Sequence, residues 1–197
     1  YDSGVDGWSA EDFLVKYVVT TPPPVSTTGS IYYVATTGND TNLCTSVQPC
    51  ATIQKGISKM VSGDTLVVRS GTYAGTQNFI SGIPSGTSGA YTTVMAETPM
   101  DVRIQNSAAV SASQLSMSGS YIKVDGFIFD LINSAFPAHN GSISGSYNKL
   151  VRSIFRRQGA QDTYGGLLFV GGSFNLIEDV AGVGTCRYCF ETGGPTS

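Results

Sequence analysis

Charge is scarce in this chain. Only 13% of its 197 residues are Asp, Glu, Lys or Arg, against about 25% in an ordinary globular domain. The 11 Lys and Arg are outnumbered by 14 Asp and Glu, for a formal net charge of −3. No basic stripe is present to neutralise phosphates, which argues against nucleic acid as a partner. No apolar run approaches the roughly 20 residues that a membrane-spanning helix needs. There is one His, and a Ser-His-Asp triad would have to use it. That residue, His139, lies in Pro-Ala-His-Asn-Gly and reads as part of a loop. There is one Trp, Trp8, and only four Cys. The chain starts at Tyr1 rather than Met and shows no signal peptide, so it reads as a processed or excised segment.

Gly, Ser and Thr fill the polar positions instead, and short side chains of that kind suit stacked strands and tight turns. Residues 1–20 end in an apolar alternation over 13–19 that reads as one strand. Residues 21–30, TPPPVSTTGS, read as a linker, because consecutive prolines favour extended polyproline II. The main domain then occupies 31–197. Ile31–Val34 predicts a strand, and 51–62 carries apolar residues at helical spacing, with Gly63 as its C-cap. Thr65–Arg69 predicts another strand. Asn-x-Ser/Thr sequons stand at Asn39 and Asn140.

The chain then repeats. Gly119-Ser120-Tyr121, Gly145-Ser146-Tyr147 and Gly172-Ser173-Phe174 recur at spacings of 26 and 27 residues, with Gly89-Ala90-Tyr91 as a weaker earlier copy. Aligned on this triplet, Val124, Leu150 and Ile177 coincide, as do Ile128, Ile154 and Ala181, and Asn148 with Asn175. A period in this range marks a solenoid, whose repeats bury their apolar faces against one another. Short β-branched and aromatic strands broken by Gly and Ser predict a parallel β-helix, with aligned residues stacked about 4.8 Å apart. The plainer alternative is a β-sandwich with coincidental repeats.

The stretch 31–73 carries Tyr32-Tyr33-Val34, Gly38-Asn39-Asp40, Thr52-Ile53-Gln54, Gly63-Asp64-Thr65 and Gly71-Thr72-Tyr73. This pattern resembles pectate-lyase-like (pectin-lyase-like) right-handed parallel β-helix proteins, over about residues 31–192. The resemblance implies an all-β solenoid whose first coil is capped by an amphipathic helix, here 51–62. It implies little about activity, since lyases, hydrolases, tailspikes and adhesins share the fold.

A lyase of this kind implies an acid cluster for Ca²⁺ and an Arg or Lys as base. Calcium takes six to eight oxygen ligands. The acids available are Asp125, Asp130, Asp162, Glu178 and Asp179. Asp125 and Glu178 share a repeat position with Val151 between them. No metal site is expected, no cofactor is expected, and no catalytic pair is assigned. Arg152 aligns with Asp179, which predicts an ion pair between them. Lys123 and Lys149 stack, and an acidic sugar near them would relieve their repulsion; two solvated lysines are the plainer reading. Lys123, Lys149 and Arg152 are therefore the candidate carbohydrate-binding residues. Arg156-Arg157 reads as an exposed turn. The tyrosines at repeat positions are expected to stack on one another rather than on sugars.

Cys44 and Cys50 flank a short loop, and a disulfide there implies an oxidising compartment. Cys186 and Cys189 read as a local disulfide, free thiols or a link to another chain. Several coils separate the two pairs, too far for a shared zinc or a cross-link. The sequence stops after a coil with no evident cap, which predicts either a fragment or an end covered by another subunit. Strand 13–19 would then be donated to make a homo-oligomer or filament. The first functional reading is thus a secreted or surface-exposed assembly module, a fibre or adhesin subunit. The alternatives are a polysaccharide lyase or hydrolase, and a non-catalytic carbohydrate-binding module.

Overall fold

The computed structural model describes residues 29–106, 112–132, 139–158, 166–184, 186 and 188–193. In chain order the strands are β1 (Ile31–Val34), β2 (Thr65–Val68), β3 (Gly71–Ala74), β4 (Thr92–Ala96), β5 (Val102–Gln105) and β6 (Leu115–Met117). There follow β7 (Ile122–Asp125), β8 (Phe127–Ile132), β9 (His139–Ile143), β10 (Lys149–Gln158), β11 (Gly166–Val170), β12 (Leu176–Gly184) and β13 (Tyr188–Thr192). Every pairing between these strands is parallel. The result is the expected parallel β-helix, with a cross-section of three faces.

Face one stacks β1, β2, β4, β7 and the first residues of β10 and β12. Face two stacks β3, β5, β8 and the remainders of β10 and β12. Face three stacks β6, β9, β11 and β13. Strands β10 and β12 serve two faces because each turns a corner through one residue in the left-handed region, Arg152 at φ 47° and Asp179 at φ 53°. Gly126, at φ 90°, turns the same corner on the coil before.

The alternation of strand residues sorts inside from outside. On face one Leu66, Val94, Val124 and Leu150 form an inward ladder, each fully buried. On face two Tyr73, Ile104, Phe129 and Phe155 do the same, and the Phe129 and Phe155 rings stack with centroids 4.7 Å apart. Burial of each such side chain contributes about 1.5–3 kcal/mol.

The Gly-Ser-aromatic triplet is the corner between faces three and one, and each member has a separate cause. A Cβ on Gly145 would strike the Gly119 carbonyl, and one on Gly172 would strike that of Gly145, so only Gly lets the coils close up. The Ser146 hydroxyl accepts from Ser173 N at 3.1 Å, and that of Ser120 from Ser146 N at 3.3 Å. Tyr121, Tyr147 and Phe174 adopt φ of 55–59°, unfavourable for bulky residues, and stack at 4.9 Å per step.

Asn148 completes the corner. Its Oδ1 accepts from Ile122 N at 2.9 Å and its Nδ2 donates to Gly119 O at 2.9 Å, while Asn175 accepts from Asn148 N at 2.8 Å. Asn148→Ala would leave a buried N–H and a carbonyl without partners. The expected cost is about 2–4 kcal/mol, read as a lower urea midpoint with an unchanged slope.

The helix differs from the expectation over 51–62. It is a single turn, α1 (Ile53–Ile57), capped by Thr52, and the chain leaves it at Ser58. Gly63 sits at φ 85° in the turn before β2, not at a helix C-cap. The Asp64 carboxylate ends the helical path by accepting from Val61 N and Ser30 N, each at 2.7 Å. The turn of helix lies on the first coil, with Gly56 against the Leu66 and Val34 side chains. Disulfides join Cys44 to Cys50 and Cys186 to Cys189, both local.

Candidate carbohydrate-binding groove

The outward positions of face one begin neutral and become charged along the solenoid. One outward rung runs Ile31, Thr65, Thr93, Lys123, Lys149, Leu176. The other runs Tyr33, Val67, Met95, Asp125, Val151, Glu178. Their last three members on each rung, with corner residues Arg152 and Asp179, line an open groove of about 360 Å³. All three candidate residues, Lys123, Lys149 and Arg152, therefore meet in one place.

Asp125 organises the groove. Its side chain is 2% exposed, and a carboxylate so buried requires partners. Arg152 supplies two, donating Nε to Oδ1 at 2.7 Å and Nη2 to Oδ2 at 2.6 Å. Lys123 adds a third from its own strand, with Nζ 2.9 Å from Oδ2. The expected Arg152–Asp179 pair is thus replaced by a bidentate pair with the preceding coil. The left-handed corner at Arg152 carries its side chain back over β7, a direction that strand alternation alone does not give.

Lys149 behaves differently. It is in register with Lys123, yet the two ammonium groups turn to different partners. Lys149 Nζ lies 4.5 Å from the centroid of the Tyr91 ring. Tyr91 in turn meets Tyr121 edge-on, at 5.8 Å and 78°. Sequence reasoning missed Tyr91 as a partner of a groove lysine; its only signal was the weak repeat Gly89-Ala90-Tyr91. The groove is therefore cationic along β7 and β10, with carboxylates Glu178 and Asp179 on the β12 coil.

The remaining candidates lie elsewhere. Asp130, 1% exposed, belongs to face two and is paired with Arg103 at 2.7 Å. Arg156-Arg157 is not an exposed turn: both lie in β10, and Arg157 is 2% exposed with Nη2 donating to Gly166 O at 3.1 Å. His139 is not in a loop either. It opens β9 on face three, 2.9 Å from Glu191 Oε2, reaching across a coil where Gly166 leaves room. Asn140 is fully buried in β9, whereas Asn39 is exposed. Asp162, Trp8 and strand 13–19 lie outside the described residues.

Calcium ligation does not fit this groove. Both Asp125 oxygens face cations, and no group of three or more His, Cys, Asp and Glu among the described residues could hold a metal.

The stacked corners, the three parallel faces and the N-terminal motif define a pectate-lyase-like β-helix. More narrowly, the chain belongs to the chondroitinase B family, whose sequence profile matches residues 47–175. No curated protein matches it. Among solved structures it is similar to pectate lyase Pel9A, with 21% identity over 73% of this chain and 47% of that one, at a TM-score of 0.47. It is also similar to a rhamnogalacturonan lyase, with 18% identity over 81% of this chain and 54% of that one, at a TM-score of 0.47. The chain thus spans about half the length of these two proteins.

Proposed function

We propose that this chain is a β-helix of the polysaccharide-lyase type whose face-one groove holds an acidic polysaccharide. The observation that carries this reading is the convergence of Lys123, Lys149 and Arg152 on one groove, where Lys123 and Arg152 share the buried carboxylate of Asp125 and Lys149 faces the Tyr91 ring. The family name denotes action on chondroitin, an acidic chain, which agrees with such a groove. Elimination at a uronate requires its carboxylate to be neutralised, so that the adjacent C–H loses its proton more easily. Groove cations supply that charge. The two disulfides favour an oxidising compartment, and we infer a secreted or extracellular protein. Among the described residues no helix is long and apolar enough to cross a membrane.

The family match favours this reading over the assembly module expected first. The filament idea rests on an uncapped last coil and on strand 13–19, and that strand lies outside the described residues.

The test is calorimetric titration with chondroitin sulfate, polygalacturonate and neutral dextran, with ultraviolet detection of unsaturated sugar ends. The acidic chains are expected to bind, more weakly as salt is added, and dextran not to bind. Replacing Lys123 and Lys149 by Met should weaken binding at least about tenfold. Equal binding of dextran, or an unchanged double variant, contradicts the reading.

A further inference from the structure

We propose that Tyr91 is a positioning residue for this groove: its ring holds the Lys149 ammonium in place while leaving the charge uncancelled for an anionic sugar group. The inference rests on the acidic-polysaccharide reading above and adds which cation receives the anion, and how it is held.

The three groove cations are not equivalent. Arg152 and Lys123 both point at Asp125, so part of their charge is already balanced. Lys149 meets an aromatic face instead. A carboxylate partner would cancel the ammonium charge and occupy its N–H donors. A ring attracts the cation through its quadrupole, and the net charge and most of the donors stay available. Lys149 is thus anchored without being neutralised.

The ring also lies where it separates the two lysines. Lys149 and Lys123 are register partners on adjacent coils, about 4.8 Å apart along the solenoid. Their ammonium groups repel if both extend outward. Lys123 turns to Asp125 on its own strand, and Lys149 turns back past that coil to Tyr91, which precedes β4. Tyr91 is itself fixed by its edge contact with Tyr121, the end of the stack that continues through Tyr147 to Phe174. Burial, and then the neighbouring Tyr121, push the Tyr91 hydroxyl above its ordinary range, so the ring stays neutral at physiological pH.

The experiment titrates chondroitin sulfate and polygalacturonate into the wild type, Tyr91→Leu, Tyr91→Phe, Lys149→Met and the Tyr91→Leu/Lys149→Met double variant, with a melting curve for each. Tyr91→Leu should weaken binding about fivefold, and Tyr91→Phe should stay within about twofold because the ring face is kept. Lys149→Met should weaken binding about tenfold, and the double variant should be no weaker than Lys149→Met alone, since both changes remove one interaction. Melting midpoints of the variants should match the wild type, which separates positioning from folding. Wild-type affinity in Tyr91→Leu, or an equal further loss on the Lys149→Met background, overturns this inference and leaves the functional reading standing. A wild type that binds neither polyanion removes the functional reading and this inference with it.

Discussion

Phe155→Ala is expected to lower the unfolding free energy by about 3–5 kcal/mol. Phe155 is fully buried on face two and stacks on Phe129 at 4.7 Å and 14°. Its ring also fills the space beside Gly141, where even a Cβ would come within 2.6 Å of it. The ring therefore joins face two to face three across the coil. Neighbouring coils are held in register by the main-chain ladder and cannot slide together to close the gap. Phe155→Leu should cost less, because more of the volume is kept. Urea unfolding of the two variants measures the difference. A loss below about 1 kcal/mol for Phe155→Ala would mean that the site collapses and that this stack is not a structural element.

The second large effect belongs to Arg152. Arg152→Met should cost about 3 kcal/mol, because Asp125, at 2% exposure, loses both bonds of a bidentate pair and keeps only Lys123. Lys123→Met should cost about 1 kcal/mol, since its side chain is 33% exposed and the bidentate pair survives. Adding Asp125→Asn to Arg152→Met should recover part of the loss, as the uncompensated charge is gone. Denaturant unfolding of the cycle reads these values. If Arg152→Met and Lys123→Met cost the same, the pair geometry is not what holds the groove.

The repeat was legible because each of its residues touches its own equivalent on the next coil. Gly145 meets Gly119, Ser173 meets Ser146, Tyr147 meets Phe174 and Asn148 meets Asn175, so a sequence period maps directly onto a spatial one. The groove was half legible for the same reason: the Lys123–Lys149 rung follows from the alignment. What the alignment could not reveal is where a side chain points once it leaves the rung. Arg152 was matched forward to Asp179, yet its left-handed backbone turns it back to Asp125. Lys149 crosses a coil to Tyr91, a contact that no local pattern encodes.

The helix was read too long because Ile53, Ile57, Met60 and Val61 satisfy helical spacing. Met60 is buried from the turn that follows the helix, and Val61 is 66% exposed. Face three was hardest to read. Its strand β9 contains Gly141, whose missing side chain makes room for Phe155, and Gly lowers strand propensity wherever it stands. The same glycine makes the sequence around His139 read as a loop.

Amide chemical-shift mapping, as an acidic chondroitin or polygalacturonate oligosaccharide is added, tests most directly whether face one holds the polysaccharide. Perturbations are expected at Lys123, Asp125, Lys149, Val151 and Glu178 on the outer side of face one, with Tyr91 beside them, and none along β9, β11 and β13. Perturbations centred on face three, or none anywhere at saturating oligosaccharide, would contradict a face-one site.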